Sequence, residues 1–236
     1  MGNRFARRNP TRVPETSAAT QVSSSTSVIL KPRTVWPALG ANIRIWSLLS
    51  HENDGFWQVQ RQSSDDIFSV DGAGTYNTNS VFRFYAVNDP EIIGGEPGFA
   101  DLPDDSTLAW IGIPGRRIGK DADSSKIYML QWKPADGGVH TKAYKAPKKP
   151  WELPDIPDKD DRKFATFLIS FNSSTKYFNI LCAGSREARD GWKNIIRTDG
   201  SGNISIEESM NQDKIIILWS TDPGIQYYLS FVDKVE

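Results

Sequence analysis

Short apolar segments separated by turn residues extend from Val28 to the end of the chain. The clearest period-two alternation covers residues 225–231, where every second side chain falls on one face of an extended strand. Residues 81–87 and 167–171 show the same alternation. Segments rich in β-branched and aromatic residues add seven further predicted strands, at 42–49, 56–61, 107–113, 126–132, 176–182, 203–206 and 214–219. Ten strands at this spacing predict an all-β fold.

Turn residues and a single helix complete this prediction. Asp-Gly steps supply the positive-φ residues that tight β connections require, and they begin at Asp54, Asp71, Asp136 and Asp199. One helix is predicted from Arg186 to Arg197, with Ser185 as its N-cap. Residues 88–106 and 146–161 are predicted to be long loops, the second largely extended because it is rich in proline. Ten strands with these turns are typical of either a β-sandwich or a β-barrel, and we expect the antiparallel β-sandwich, decorated by one short helix.

Charge divides the chain into two parts, although the formal net charge is only −1. Residues 1–33 contain six Lys or Arg and one acidic residue, which sums to +5. Nine of the seventeen residues from 11 to 27 are Ser or Thr, so this stretch has little apolar surface with which to offset its ordering entropy. The sequence predicts a flexible basic arm over 1–27 and a β-sandwich shell domain over 28–236.

The arm carries candidate nucleic-acid contacts. Guanidinium groups stay charged and can donate two hydrogen bonds to phosphate oxygens, whatever the base sequence. The residues expected to do so are Arg4, Arg7, Arg8 and Arg12. A merely solubilising tail is the alternative.

Two loops offer weaker candidate sites. Asp101, Asp104 and Asp105 crowd three carboxylates into five residues, and hard oxygen ligands from a turn suit Ca²⁺. The alternative is an ordinary solvated acidic loop. Trp151 lies in the proline-rich loop and is expected to be an exposed interaction residue, or else a plug that pins the loop to the domain.

Catalytic chemistry finds little support in the sequence. The chain has one cysteine, Cys182, and two histidines, and it shows no nucleophile elbow, phosphate-binding loop or zinc-protease helix. Its longest purely apolar run has five residues, so no membrane span is expected. We expect a non-enzymatic protein that folds in a reducing compartment and has no resident cofactor.

The arginine-containing, Ser/Thr-rich arm followed by a strand-rich domain with long loops resembles the coat proteins of small spherical RNA viruses. That resemblance implies a jelly-roll subunit, self-assembly into a shell, contact between the arm and the genome, and Ca²⁺ at subunit contacts. It also implies location in the virion, after synthesis in the host cytoplasm.

A second resemblance is local. Phe167 to Cys182, followed by the predicted helix with Trp192, is similar to the last hairpin and C-terminal helix of pleckstrin-homology domains. Those domains bind phosphoinositides or proteins. A lectin-like or phosphoinositide-binding β-rich module is therefore the alternative to a capsid protein.

Overall fold

Twelve antiparallel β-strands form the framework of the described part of the chain. The computed structural model describes residues 36–49, 55–60, 67–93, 105–120, 122–133, 138–183, 194–208 and 222–232. The strands are β1 (Ala41–Ser47), β2 (Phe56–Gln60), β3 (Ser69–Gly74), β4 (Phe82–Ala86), β5 (Ser106–Pro114), β6 (Lys126–Lys133), β7 (Gly138–Lys145), β8 (Thr166–Asn172), β9 (Tyr177–Cys182), β10 (Asn194–Thr198), β11 (Ile204–Glu208) and β12 (Tyr227–Phe231). The short helices are α1 (Pro90–Ile93), α2 (Gly115–Ile118) and α3 (Lys159–Phe164), with 3₁₀ turns at Thr78–Ser80 and Pro223–Ile225. None of these helices has the length and apolar character needed to cross a membrane.

The sheet closes into a nine-stranded β-barrel, so the predicted sandwich is wrong. Hydrogen-bonded neighbours follow the closed path β1–β2–β3–β7–β6–β5–β8–β9–β12–β1. Strand β4 pairs with both β1 and β5, while β10 and β11 continue outward from β9. Alternation along a strand identifies its buried face, but a sandwich and a barrel share that alternation. The difference lies in which edges pair, and closure here depends on the pairing of β1 with β12, five residues long from Ile43 to Ser47.

Nine of the ten predicted strands match observed strands, and the tenth, 214–219, lies outside the described residues. Strands β3, β7 and β10 were not predicted. The predicted helix is wrong over 194–197, because these residues belong to β10 and pair with β11, where Ile196 faces Ile206. The rest of that predicted helix, 186–193, lies outside the described residues. The β-branched pair Ile195–Ile196 favours a strand once β9 and β11 supply partners.

The barrel wall is buried on both of its faces along several strands. In β5, Ala109 and Ile111 belong to the main hydrophobic core, whereas Leu108 and Trp110 belong to a second cluster on the opposite face. The second cluster includes Ile156, from the proline-rich loop. The predicted loop 146–161 does lack regular structure as far as Asp158, and α3 then begins inside it. The other predicted loop, 88–106, contains α1, and its residues 94–104 lie outside the described residues.

Candidate functional site

A polar pocket of about 340 Å³ lies where strands β3 and β7 meet the turn between β10 and β11. Three of its side chains stand in a row across neighbouring strands: Gln60 in β2 faces Ser69 in β3, and Ser69 faces His140 in β7. Asp71 lies two residues beyond Ser69, on the same face of β3. The full lining is Gln60, Ser69, Val70, Asp71, Ala73, Gly138, Val139, His140, Ser201, Gly202, Asn203 and Ile204.

The β10–β11 turn is fixed by its own side chains. The Asp199 carboxylate accepts hydrogen bonds from the backbone N–H groups of Ser201 and Asn203 and from the Asn203 amide, all between 2.8 and 2.9 Å. The Asn203 amide, together with these backbone donors, holds the pKa of Asp199 below its ordinary value. The turn therefore presents the Ser201 and Asn203 side of the pocket in a defined shape.

The turn also docks directly on β3. The Gly72 N–H donates to the Gly202 carbonyl over 2.7 Å. Gly202 has φ +88°, and a Cβ atom there would lie 2.5 Å from the Ala73 Cβ. Only glycine allows this backbone conformation and this close approach without strain. The approach of the turn to β3 forms one wall of the pocket.

Asp71 has one carboxylate oxygen without a partner. Its Oδ1 accepts from the Ala73 N–H over 3.0 Å. Its Oδ2 is buried and has no hydrogen-bond partner among the described residues. Burial raises the pKa of Asp71 above its ordinary value, against the opposing effects of the Ala73 amide and the nearby Gln58 side chain. A carboxylate held in this way is destabilised unless a donor reaches Oδ2.

His140 carries a second unpartnered atom in the same pocket. Its Nε2 is buried and, like Asp71 Oδ2, has no hydrogen-bond partner in the described part of the chain. Buried polar atoms are normally paired, so two residues of one pocket that each carry an unpaired buried atom make this pocket a candidate ligand site.

The lining restricts the chemistry of that ligand. Among the described lining residues, Asp71 and His140 have the only titratable side chains, and none is Phe, Tyr, Trp, Lys or Arg. Ser69 and Ser201 line the pocket, but no hydrogen bond joins either hydroxyl to Asp71 or His140 in the described structure, so no activated nucleophile is formed. The described residues also contain no group of three or more His, Cys, Asp or Glu side chains that could hold a metal ion. The arrangement is suited to hydrogen-bonded binding.

The residues proposed from the sequence lie elsewhere. Asp101, Asp104 and the four arm arginines are outside the described residues. Asp105 is exposed at φ 58°, and its carbonyl accepts from the Phe171 N–H. Trp151 is 59 % exposed, with the Lys149 ammonium 5.6 Å from its ring. The exposure predicted for Trp151 is confirmed.

Sequence reasoning missed the pocket. Asp71-Gly72 was assigned to a tight turn, but both residues lie inside β3. His140 was one of two histidines with no catalytic pattern around it. In β7, Val139 and Thr141 alternate with His140 and Lys142, which places His140 on the face opposite Val139, and this was the one local signal available.

Comparison with known proteins gives no family assignment. No protein-family model matches the chain, and no curated protein matches its sequence.

Proposed function

We propose that this protein is a binding protein whose pocket between β3, β7 and the β10–β11 turn holds a small, hydroxyl-rich ligand of monosaccharide size. The observation that carries the proposal is that Asp71 and His140 line one pocket and that each has a buried side-chain atom, Oδ2 or Nε2, without a partner among the described residues. This proposal corresponds to the lectin-like module that the sequence offered as the alternative to a capsid protein, and it names the residues that would bind the ligand.

Charge and hydrogen-bonding capacity select this class of ligand. An anion would meet the Asp71 carboxylate, and none of the described lining residues is a lysine or arginine that could balance it. Hydroxyl groups both donate and accept, so they can satisfy a carboxylate oxygen together with the Ser69, Gln60 and Asn203 side chains. A volume of about 340 Å³ is at the small end of ligand pockets. The absence of an aromatic platform distinguishes the site from sugar sites that depend on stacking.

Calorimetric titration of the full chain with a panel of neutral monosaccharides and linear polyols tests the proposal. At least one compound should bind with one-to-one stoichiometry. The Asp71→Asn variant should bind it at least tenfold more weakly, because a hydrogen bond to a charged group contributes about 1.5–3 kcal/mol.

Asp155→Asn is the matched control, because Asp155 is exposed in the proline-rich loop and does not line the pocket. It should bind as the wild type does. If no member of the panel binds at millimolar concentration, or if Asp71→Asn binds equally well, the proposal is wrong.

The excess positive charge of residues 1–33 favours a second candidate function. In this proposal the chain self-assembles and contacts nucleic acid through Arg4, Arg7, Arg8 and Arg12, as a viral structural protein would. It rests on the sequence alone. The barrel differs from the jelly roll that the coat-protein resemblance implied, so the fold adds no support to it.

A further inference from the structure

Two buried arginines and a buried tyrosine lie close together on and beside β4. Arg83 and Tyr85 are two residues apart and so share one face of that strand. Arg117 belongs to α2, and its charge acts on Tyr85 and is itself influenced by Arg83. Both arginines are only 8 % exposed, and Tyr85 is fully buried. We call these three residues the arginine cluster.

The arginine cluster has no described counter-charge. Arg117 donates from Nη1 to the Val81 carbonyl over 3.0 Å and from Nη2 to Asn42 Oδ1 over 2.7 Å, and both of these acceptors are neutral. No carboxylate in the described part of the chain forms an ion pair with Arg83 or Arg117. The Arg83 Nε is buried and has no hydrogen-bond partner there, and the buried Tyr85 hydroxyl, which lies beside the Arg83 side chain, has no acceptor there.

Two other arginines, Arg44 and Arg197, have partners for their guanidinium groups. Arg44, which is 5 % exposed, lies 3.3 Å over the Tyr76 ring and donates to Ser80 Oγ and the Asn77 carbonyl. Arg197 pairs with Asp222 at 2.6 Å and with Glu207 at 3.3 Å. The arginine cluster differs from both because the buried Arg83 Nε and the Tyr85 hydroxyl have no acceptor in the described part of the chain.

Electrostatics explains why this arrangement requires an anion. Burial, followed by the charges of Arg83 and Arg116, lowers the pKa of Arg117 to about 10, so the guanidinium stays protonated at neutral pH. Two cations held near each other out of water are unfavourable unless a negative group satisfies them. Guanidinium N–H groups and a phenol O–H are suited to the oxygens of a tetrahedral oxyanion.

We propose that Arg83, Tyr85 and Arg117 form a binding site for a phosphate or sulfate group. The site is separate from the pocket of the proposed function and selects the opposite charge, so either can fail without the other. Since both arginines are more than nine-tenths buried, the site should take a free ion in preference to a group carried on a larger molecule.

Titration of the full chain with inorganic phosphate, sulfate and glycerol phosphate, followed by calorimetry, tests this site. Phosphate or sulfate should bind with a stoichiometry of one, and glycerol phosphate should bind more weakly. Arg83→Gln and Arg117→Gln should each weaken phosphate binding at least tenfold. Equal binding of the ester would leave the anion site in place but show that the preference for a free ion is wrong.

Two controls separate the site from general attraction to positive charge. Arg44→Gln removes a buried arginine whose guanidinium already has partners, and Ala at Arg4, Arg7, Arg8 and Arg12 removes the arm charges; both should bind phosphate as the wild type does. Because the Gln variants can fail to fold, Tyr85→Phe provides a milder change, and it should weaken binding measurably while circular dichroism stays unchanged. Absence of saturable phosphate and sulfate binding to the wild type, or loss of binding in the arm variant alone, would overturn the proposal.

Discussion

Buried polar atoms without partners occur at several residues of the described chain, one atom at each. Eight buried side-chain atoms in the described residues lack a hydrogen-bond partner, and half of them belong to Asp71, His140, Arg83 and Tyr85. Each such atom opposes folding by about 1–3 kcal/mol. An unpaired buried polar atom destabilises the fold, whereas the apolar core around it stabilises the fold. Such local conflicts are expected at binding sites.

Asp71 should make stability depend on pH in a definite direction. Its pKa is higher in the folded protein than in the unfolded chain, where it is about 3.9. Between these two values the folded state holds more protons, so the free energy of unfolding falls as pH rises through that window. Asp71→Asn should therefore unfold at a higher urea concentration than the wild type at pH 7, and this advantage should shrink as pH falls toward about 4.

Asp155→Asn is the control for this comparison as well, since its exposed carboxylate should give a wild-type profile. A lower stability of Asp71→Asn at pH 7 would show that the fold stabilises the ionised carboxylate, contrary to the expected effect of burial. Because urea unfolding measures stability directly, the same comparison shows whether weaker ligand binding by Asp71→Asn results from loss of folding.

The sequence could not identify these residues as a site. Asp71 precedes Gly72, and that pair predicts a turn in most contexts. The pocket that Asp71 lines also needs the 199–203 turn, which lies more than a hundred residues later in the chain and docks on β3. Arg83 alternates with aromatic residues in a predicted strand, and this alternation alone does not indicate that the structure buries both faces of β4.

Strands with strong alternation were predictable as elements, and strands that depend on their neighbours were not. The β8–β9 hairpin follows its apolar alternation, and its six paired positions run from Phe167–Cys182 to Asn172–Tyr177. In contrast, β3 reads Ser-Val-Asp-Gly-Ala-Gly, and its two glycines predict a break. Pairing with β2 and β7 holds it extended despite its low intrinsic preference for a strand.

The β10–β11 turn allows a matched test of how one element forms the pocket. Gly202→Ala should lower the free energy of unfolding by about 1–3 kcal/mol, because φ +88° and the contact with Ala73 both oppose a Cβ atom. Gly200→Ala should change it by less than about 0.5 kcal/mol, since no atom lies within 4 Å of the added carbon. Urea unfolding of both variants measures the difference.

Hydrogen exchange at Gly72 reports on the same contact, because its amide donates to Gly202. Exchange should accelerate in Gly202→Ala and stay unchanged in Gly200→Ala. Equal stability of the two variants would show that the turn is not held against β3 as described.

Closure of the barrel depends on strand pairs that are far apart in the sequence, so it is a property of the whole fold and not of one element. The first and last strands of the described sheet, β1 and β12, pair although almost the entire chain separates them. No local pattern specifies such a pairing, because many strand orders would bury the same alternating faces. The strand content was therefore accessible from the sequence, whereas the choice between sandwich and barrel was not.

The barrel and the basic arm can be separated experimentally. All the described strand pairings lie between residues 41 and 231, so Ala at Arg4, Arg7, Arg8 and Arg12 should leave cooperative unfolding unchanged. If these arginines bind phosphates, the affinity of the full chain for a single-stranded oligonucleotide should fall with salt. The log–log slope should become shallower in the variant by up to about 0.7 for each phosphate that the arm no longer neutralises. Fluorescence anisotropy over a salt series measures this slope.

The matched control removes four exposed lysines from the barrel, by Ala at Lys120, Lys145, Lys148 and Lys159, which changes the net charge equally. If the arm binds the nucleic acid, the lysine variant should keep the wild-type slope; if total charge governs binding, both variants should show the same shallower slope.

Electron microscopy and size-exclusion chromatography of the wild type with and without the oligonucleotide extend the test to assembly. A structural protein of a virus forms larger particles through many weak, symmetric contacts. A chain that stays monomeric at every salt concentration and pH would therefore exclude that role. The same outcome would leave the two binding sites proposed in the barrel unaffected.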